Sequence, residues 1–219
     1  MNNKTRLFFL FCFLLTVSLQ LSTLAQTKKE KKATLKELKG KAIKEAKRQA
    51  KLLRKEGYSE IPGDLPMDLQ LENSYFAKLA TDDMGNPKFF VSLQESKAES
   101  FAAAKQTAYQ LCLNEIATQV GSEVIGRVQT KLSNAEGIED ATSATEVIGT
   151  YQNNVSSRLG RTTPVVLIKR KEGNLTYITM SLKYPVSEAE RIVKDDLRKE
   201  LLKSGSVEEG EIDALLDIR

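Results

Sequence analysis

The chain has 219 residues, 41% hydrophobic, 28% charged and only 6% aromatic, with a net charge of +4 and no tryptophan. That composition suits an ordinary soluble domain with appendages and argues against a carbohydrate-stacking cleft. Histidine is absent, so the commonest general base and the commonest transition-metal ligand are both missing.

Residues 1–26 follow the three-part secretory pattern: Lys4 and Arg6, an apolar run from Leu7 to Leu15 continuing through Val17 and Leu19, then small residues ending at Ala25-Gln26. The pattern predicts cleavage after Ala25 or Gln26 and an exported protein, periplasmic or outer-membrane-associated. An uncleaved anchor fits less well, because Thr16, Ser18 and Gln20 interrupt a run shorter than the ~20 residues a spanning helix needs. Cys12 sits inside the apolar run behind Leu10-Phe11, without the small residues that precede a lipidation cysteine. Removing the leader leaves Cys112 as the sole thiol, placed on an apolar stripe and read as a small core hydrophobe. A reactive thiolate there would need a neighbouring His or cation.

Residues 28–56 hold thirteen Lys or Arg against four Glu, a net of +9, whereas residues 57–219 carry −7. The near-neutral total therefore hides a polarised molecule. Leu35, Leu38, Ala42, Ala46, Ala50 and Leu53 recur at helical spacing, and Glu37/Lys41 is a supporting i,i+4 pair. This basic helical arm (27–57) has two functional readings. Lys36, Lys39, Lys44, Lys47, Arg48, Lys51 and Arg54 engage an anionic membrane or lipopolysaccharide surface, or an acidic envelope protein, or else the segment folds back on the acidic body, with Glu208, Glu209 and Glu211 as its target. The bland alternative is a solvated helix. Removing 28–56 leaves melting of the body unchanged on the first reading and lowers it on the second. Nucleic acid is a poor partner for an exported segment with no aromatic to stack on bases.

A linker with a short helix (58–87) follows. Gly57 caps the basic helix, Ile61 to Pro66 is a tight connection, and Pro66 opens a helix through about Leu79. Asp82 to Pro87 reads as a turn, since it lacks the alternating ligands and closing Glu of a calcium loop. The core domain (88–204) begins with a strand, Lys88–Glu95. Its centre is a long helix from Ser96 to Leu132 with Phe101, Ala104, Ala108, Leu111, Cys112, Ile116, Val120, Val124 and Val128 on one stripe. Ser96 and Glu99 form an S-x-x-E capping box, and Gly121 predicts a kink or break. The Ala-rich first half is slim enough for a sheet to approach closely.

A second helix spans Asp140–Leu159 and closes at Gly160. Arg161–Arg170 and the alternating Leu175–Tyr184 then make an antiparallel hairpin around Gly173. Ser187 and Glu190 supply another capping box for a helix ending at Gly205, and a short acidic helix (205–219) either docks on the body or awaits a partner. The order predicts an α+β fold, a small antiparallel sheet packed on a long Ala-rich helix and a second helix, with helices on one face.

The run Lys97-Ala98-Glu99 through Ala102, Ala108, Leu111, Ile116 and Val120, followed by the hairpin, resembles the small α+β domain of LPP-type envelope lipoproteins and the N-terminal domain of flagellar assembly protein T. The lead-in from Lys51 to Tyr75 is similar to that of uncharacterised exported proteins of Bacteroidota. The resemblance implies an envelope-associated protein and carries over no catalytic residue.

No phosphate-binding loop, dinucleotide fingerprint, G-x-S-x-G elbow or S-x-x-K signature occurs. Adjacent carboxylates Glu139/Asp140 and Asp195/Asp196 leave an envelope hydrolase as the alternative to a non-catalytic binding or assembly module. Neither reading calls for a cofactor or a metal.

Overall fold

A computed structural model describes residues 33, 34, 36–135, 140–160 and 162–217. The leader at 1–26, the start of the basic run at 28–32, Leu35, Glu139 and Arg161 lie outside the described residues. The chain divides into two units, Met1–Glu45 and Ala46–Arg219. Residues 36–55 are helical, and the portion in the second unit, 46–55, is called α1.

Strict alternation in β4 (Leu175–Pro185) fixes the sheet in the second unit, turning Ile178, Met180, Leu182 and Tyr184 into one buried face. β4 pairs antiparallel with β3 (Thr163–Glu172) on one side and with β2 (Phe89–Ala98) on the other. The two-residue link Gly173-Asn174 needs a left-handed residue, which Gly173 supplies at φ 57°. A short strand unforeseen in the sequence, β1 (Ser59–Glu60), adds to β3, giving the order β1-β3-β4-β2.

The long helix begins later than expected. Ser96 belongs to β2, whose last residues, Ser96 to Ala98, pair with Ile178 to Thr176. Ladder pairing outcompetes the early helix start, and Ser100 caps α3 (Phe101–Val120) by accepting from the Ala103 N–H at 3.1 Å. Ser96 instead donates to the Ala104 carbonyl at 2.5 Å, and the Cys112 thiol donates to the Met180 carbonyl at 3.2 Å. Such side-chain links between helix and sheet backbones exist because Ala104, Ala108 and Cys112, all fully buried, hold α3 close to β2 and β4.

At Gly121 the helix widens into one π-helical turn, Gly121–Ile125, before resuming as α4 (Gly126–Asn134). α5 (Ala141–Arg158) is capped by Asp140 and ends on extended Leu159. Gly160 then donates its N–H to the Tyr184 hydroxyl at 3.4 Å. α6 (Val186–Ser204) starts directly after Pro185, with the Val186 N–H donating to the Lys88 carbonyl at 3.0 Å. The Ser187/Glu190 box does not form. Proline at the N-cap starts the helix two residues before Ser187 could cap it, and Glu190 pairs with Arg127 at 3.2 Å. Gly205, at φ 66°, closes α6. α7 (Glu209–Leu216) docks on the body, packing Ile212, Leu215 and Leu216 into the main core against α4 and α6.

The sheet carries helices on both faces rather than one. Val166 and Ile168 of β3 point away from α3 into a second core with Ala46, Ala50, Tyr58, Met67 and Leu71, contributed by α1, β1's lead-in and α2 (Met67–Leu79). The expected linker and the end of the basic arm therefore belong to the body. Ala108→Leu forces methylenes into the α3–sheet contact and is expected to cost about 1–3 kcal/mol in thermal or denaturant unfolding, while Ala103→Leu on the exposed side leaves the transition nearly unmoved.

Candidate functional site

The basic segment is best described in its two units. Lys36, Lys39 and Lys44, in the first, are exposed on helical backbone, with Lys41 paired to Glu37 at 2.8 Å. In the second, Lys47, Arg48 and Lys51 are exposed on α1. α1 is pinned by its apolar side. Ala46 and Ala50 are fully buried, Leu53 packs beside them, and the Tyr75 hydroxyl donates to Gln49 Oε1 at 3.1 Å. The Arg54 guanidinium reaches Glu60 at 2.7 Å and Asp68 at 3.6 Å. Among the seven basic residues singled out in the sequence, Arg54 is thus held by the body's own acids.

Glu60 is the hinge of this anchor. It accepts from Arg54 and from the Met67 N–H at 2.8 Å, tying β1 to the first turn of α2. These hydrogen bonds, Arg54 first, hold its carboxyl at about 2. Gly57, at φ 89°, turns the chain so that the Tyr58 N–H donates to the Leu53 carbonyl and the ring enters the second core. The Tyr58 hydroxyl donates to Glu95 Oε2 at 2.5 Å, and Thr179 donates to the same oxygen at 3.3 Å. Arg170 lies over Tyr58 and Tyr177, 5.3 and 4.2 Å from the ring centroids, and pairs with Glu172 at 2.9 Å. Burial, reinforced by the Glu95 hydrogen bond, raises the Tyr58 pKa and keeps the phenol protonated. This cluster escaped the sequence reading because its members lie far apart in the chain. Its only local sign is the turn glycine before Tyr58.

For α1 itself, the surface it packs on is not the acidic segment around Glu208, Glu209 and Glu211. α1 lies on the face of the sheet that Val166 and Ile168 supply, by apolar contact, whereas the helix bearing Glu209 and Glu211 belongs to the core on the opposite face.

Asp140 caps α5, and the candidate carboxylates of α6 are engaged in ion pairs. Asp195 pairs with Arg191 at 2.9 Å, and Asp196 with Arg158 at 3.7 Å and Lys199 at 3.6 Å. α5 and α6 border a groove of about 530 Å³, where Arg158 also pairs with Glu200 at 3.4 Å. Tyr151 lines it, and burial raises the pKa of its hydroxyl. Burial likewise raises the Cys112 thiol pKa, the opposite of what a nucleophile requires. Among the described residues no group of three His, Cys, Asp or Glu could hold a metal ion, and no helix is long and apolar enough to cross a membrane.

A folded-state carboxyl at about 2 against an ordinary unfolded value near ~4.3 contributes stability that is full above the unfolded value and is lost as pH falls toward 2. Glu60→Gln should therefore lower stability at neutral pH and flatten its decline across that acidic window, as followed by urea unfolding at a series of pH values. No family model, no curated protein and no solved structure matches the chain.

Proposed function

We propose that the chain is a non-catalytic binding or assembly module of a bacterial envelope, exported to the periplasm or associated with the outer membrane, whose basic segment engages an anionic membrane or lipopolysaccharide surface or an acidic envelope protein. The observation that carries this reading is the division of labour on α1. Its apolar stripe is consumed by the second face of the sheet, while Lys47, Arg48 and Lys51 stay exposed. A helix held rigidly by one side presents its cations in a fixed array, so less side-chain and backbone freedom is lost on binding than for a frayed leader. The secretory pattern of residues 1–26 and the family resemblance of the later run support the envelope setting.

Because residues 46–56 help to build the second core, deleting the arm is a poor test of binding. Charge reversal keeps the packing. In the full chain, Lys44→Glu, Lys47→Glu and Lys51→Glu together should weaken association with mixed phosphatidylcholine–phosphatidylglycerol vesicles by at least about a hundredfold, taking ~1 kcal/mol for each lysine lost near an anionic surface, before repulsion of the added carboxylates. Melting should stay unchanged. Binding by the unaltered protein should fall steeply with added salt, since exposed charges are screened over ~8 Å at physiological ionic strength. Equal binding by variant and parent to vesicles, to lipopolysaccharide and to envelope proteins captured by cross-linking would refute the role given to the segment.

A further inference from the structure

β2 stands at the end of the sheet, and among the described residues no strand lies on its far side. Its pairing with β4 runs from Phe89 to Ala98 without a bulge, and no proline interrupts it. From α3, the Gln119 side-chain amide reaches round this edge and donates to the Val91 carbonyl at 3.3 Å. Val91 therefore turns its backbone carbonyl away from β4. In an antiparallel ladder alternate residues share that direction, so Phe89, Leu93, Glu95 and Lys97 also present N–H and C=O groups outward. Natural edges of this length are usually broken by a bulge, a proline or repeated charge, and here only Glu95 and Lys97, at one end, serve that purpose. Leu93, at the middle of the row, is 46% exposed, and Leu111 of α3 is 41% exposed. Leu111, Glu115 and Gln119 step by four along one side of α3, the side from which Gln119 reaches the edge.

We propose that this edge joins a second copy of the same chain, with β2 pairing antiparallel to its counterpart about a two-fold axis at Leu93, so that the two sheets become continuous. An isolated peptide strand would satisfy the backbone row but would end at the sheet layer and leave Leu111, one layer below, uncovered. A second copy brings its own helix in that layer. α3 packs on β2 and β4 together, so one added strand spacing of ~4.8 Å sets the two α3 axes about 10 Å apart, within contact range for packed helices. The side chains suit the axis. Leu93 meets Leu93, Val91 meets Glu95, and Phe89 meets Lys97, repeating the cation-over-ring contact that Lys183 already makes with Phe89 at 5.0 Å. A two-fold displaced to Glu95 would set two carboxylates face to face. The inference does not rest on the binding role of the basic segment, since α1 packs on Val166 and Ile168 of β3 and its exposed lysines take no part in the proposed edge.

The test is hydrogen exchange at the Val91, Leu93 and Glu95 amides, together with sedimentation, on the full chain kept in solution with a non-ionic detergent. Exchange at these amides should slow as protein concentration rises through the dimerisation range. Leu93→Arg and Leu111→Arg should each weaken self-association about tenfold or more and remove the concentration dependence, with melting unchanged because both side chains are exposed. Amides that exchange equally at all concentrations would overturn the proposal, as would self-association that survives both variants. Disruption by Leu93→Arg but not by Leu111→Arg would overturn it as well, assigning the edge to an isolated strand instead of a second copy.

Discussion

The distance between α3 and the strands beneath it sets the geometry of the whole body. Ala104, Ala108 and Cys112 present at most a methyl or a thiol to the sheet, and Ser92 and Ser96 answer with equally small groups from β2. Backbones brought this near exchange side-chain hydrogen bonds, as Ser96 and Cys112 do with the Ala104 and Met180 carbonyls. The closeness also has a cost, since the Ser92 hydroxyl is buried without a hydrogen-bond partner among the described residues. Larger side chains, Tyr184, Ile116, Leu197 and Leu201 among them, fill the space where α3 gives way to α5 and α6. The opposite face follows the same principle on a smaller scale, with Ala46 and Ala50 carrying α1 against Val166 and Ile168.

That second layer changes the meaning of the basic segment. A cationic helix in solution is a diffuse object whose charges average over many conformers, whereas α1 is fixed to a sheet and bracketed by two built junctions. One joins Arg54 and Glu60 to the start of α2. The other stacks Arg170 on Tyr58 and Tyr177 and ties Tyr58 to Glu95. Arg54 and Arg170 are thereby matched with acids and aromatic rings, while Lys47, Arg48 and Lys51 are exposed on α1. Carboxylates on α6 are matched in the same manner by Arg191, Arg158 and Lys199, so the local charge is balanced along that helix.

Much of the fold was legible because its signals are local. β4 alternates residue by residue, Gly173 marks its turn, and the stripes of α5 and α6 repeat at helical spacing. The second face was less visible, although a trace of it existed. Val165 to Ile168 is apolar at consecutive positions, and such a run suits a strand covered on both sides, not one with a wet face. The Ser96/Glu99 and Ser187/Glu190 boxes misled for a shared reason, because a capping pattern records only what a helix start would gain. It is silent about ladder pairing with β4, which holds Ser96, and about Pro185, which starts α6 early. For the candidate site, the exposed lysines of α1 were plain in the sequence. Arg54's commitment to Glu60 and Asp68, and the Tyr58–Glu95 junction, depend on contacts between segments that composition does not connect.

The π-helical turn at Gly121–Ile125 explains how one apolar stripe serves two different layers. Buried residues recur every fourth position from Ala104 through Ala108, Cys112, Ile116, Val120, Val124 and Val128 to Leu132. On a regular α-helix each such step drifts by roughly 40°, so the stripe would wind off the core before Leu132. The wider turn takes up one extra residue and rotates the downstream helix back by about 100°. α3 can then face the sheet while α4 faces α5 and α7. Backbone phase in this stretch is thus a counted quantity, as in a coiled-coil stutter. Loss of a single residue between Gly121 and Ile125 would return the wide turn to regular α-helix with Val128 and Leu132 still facing the core, whereas one further residue would turn both by about 100° toward solvent, so this element should tolerate shortening by one far better than lengthening.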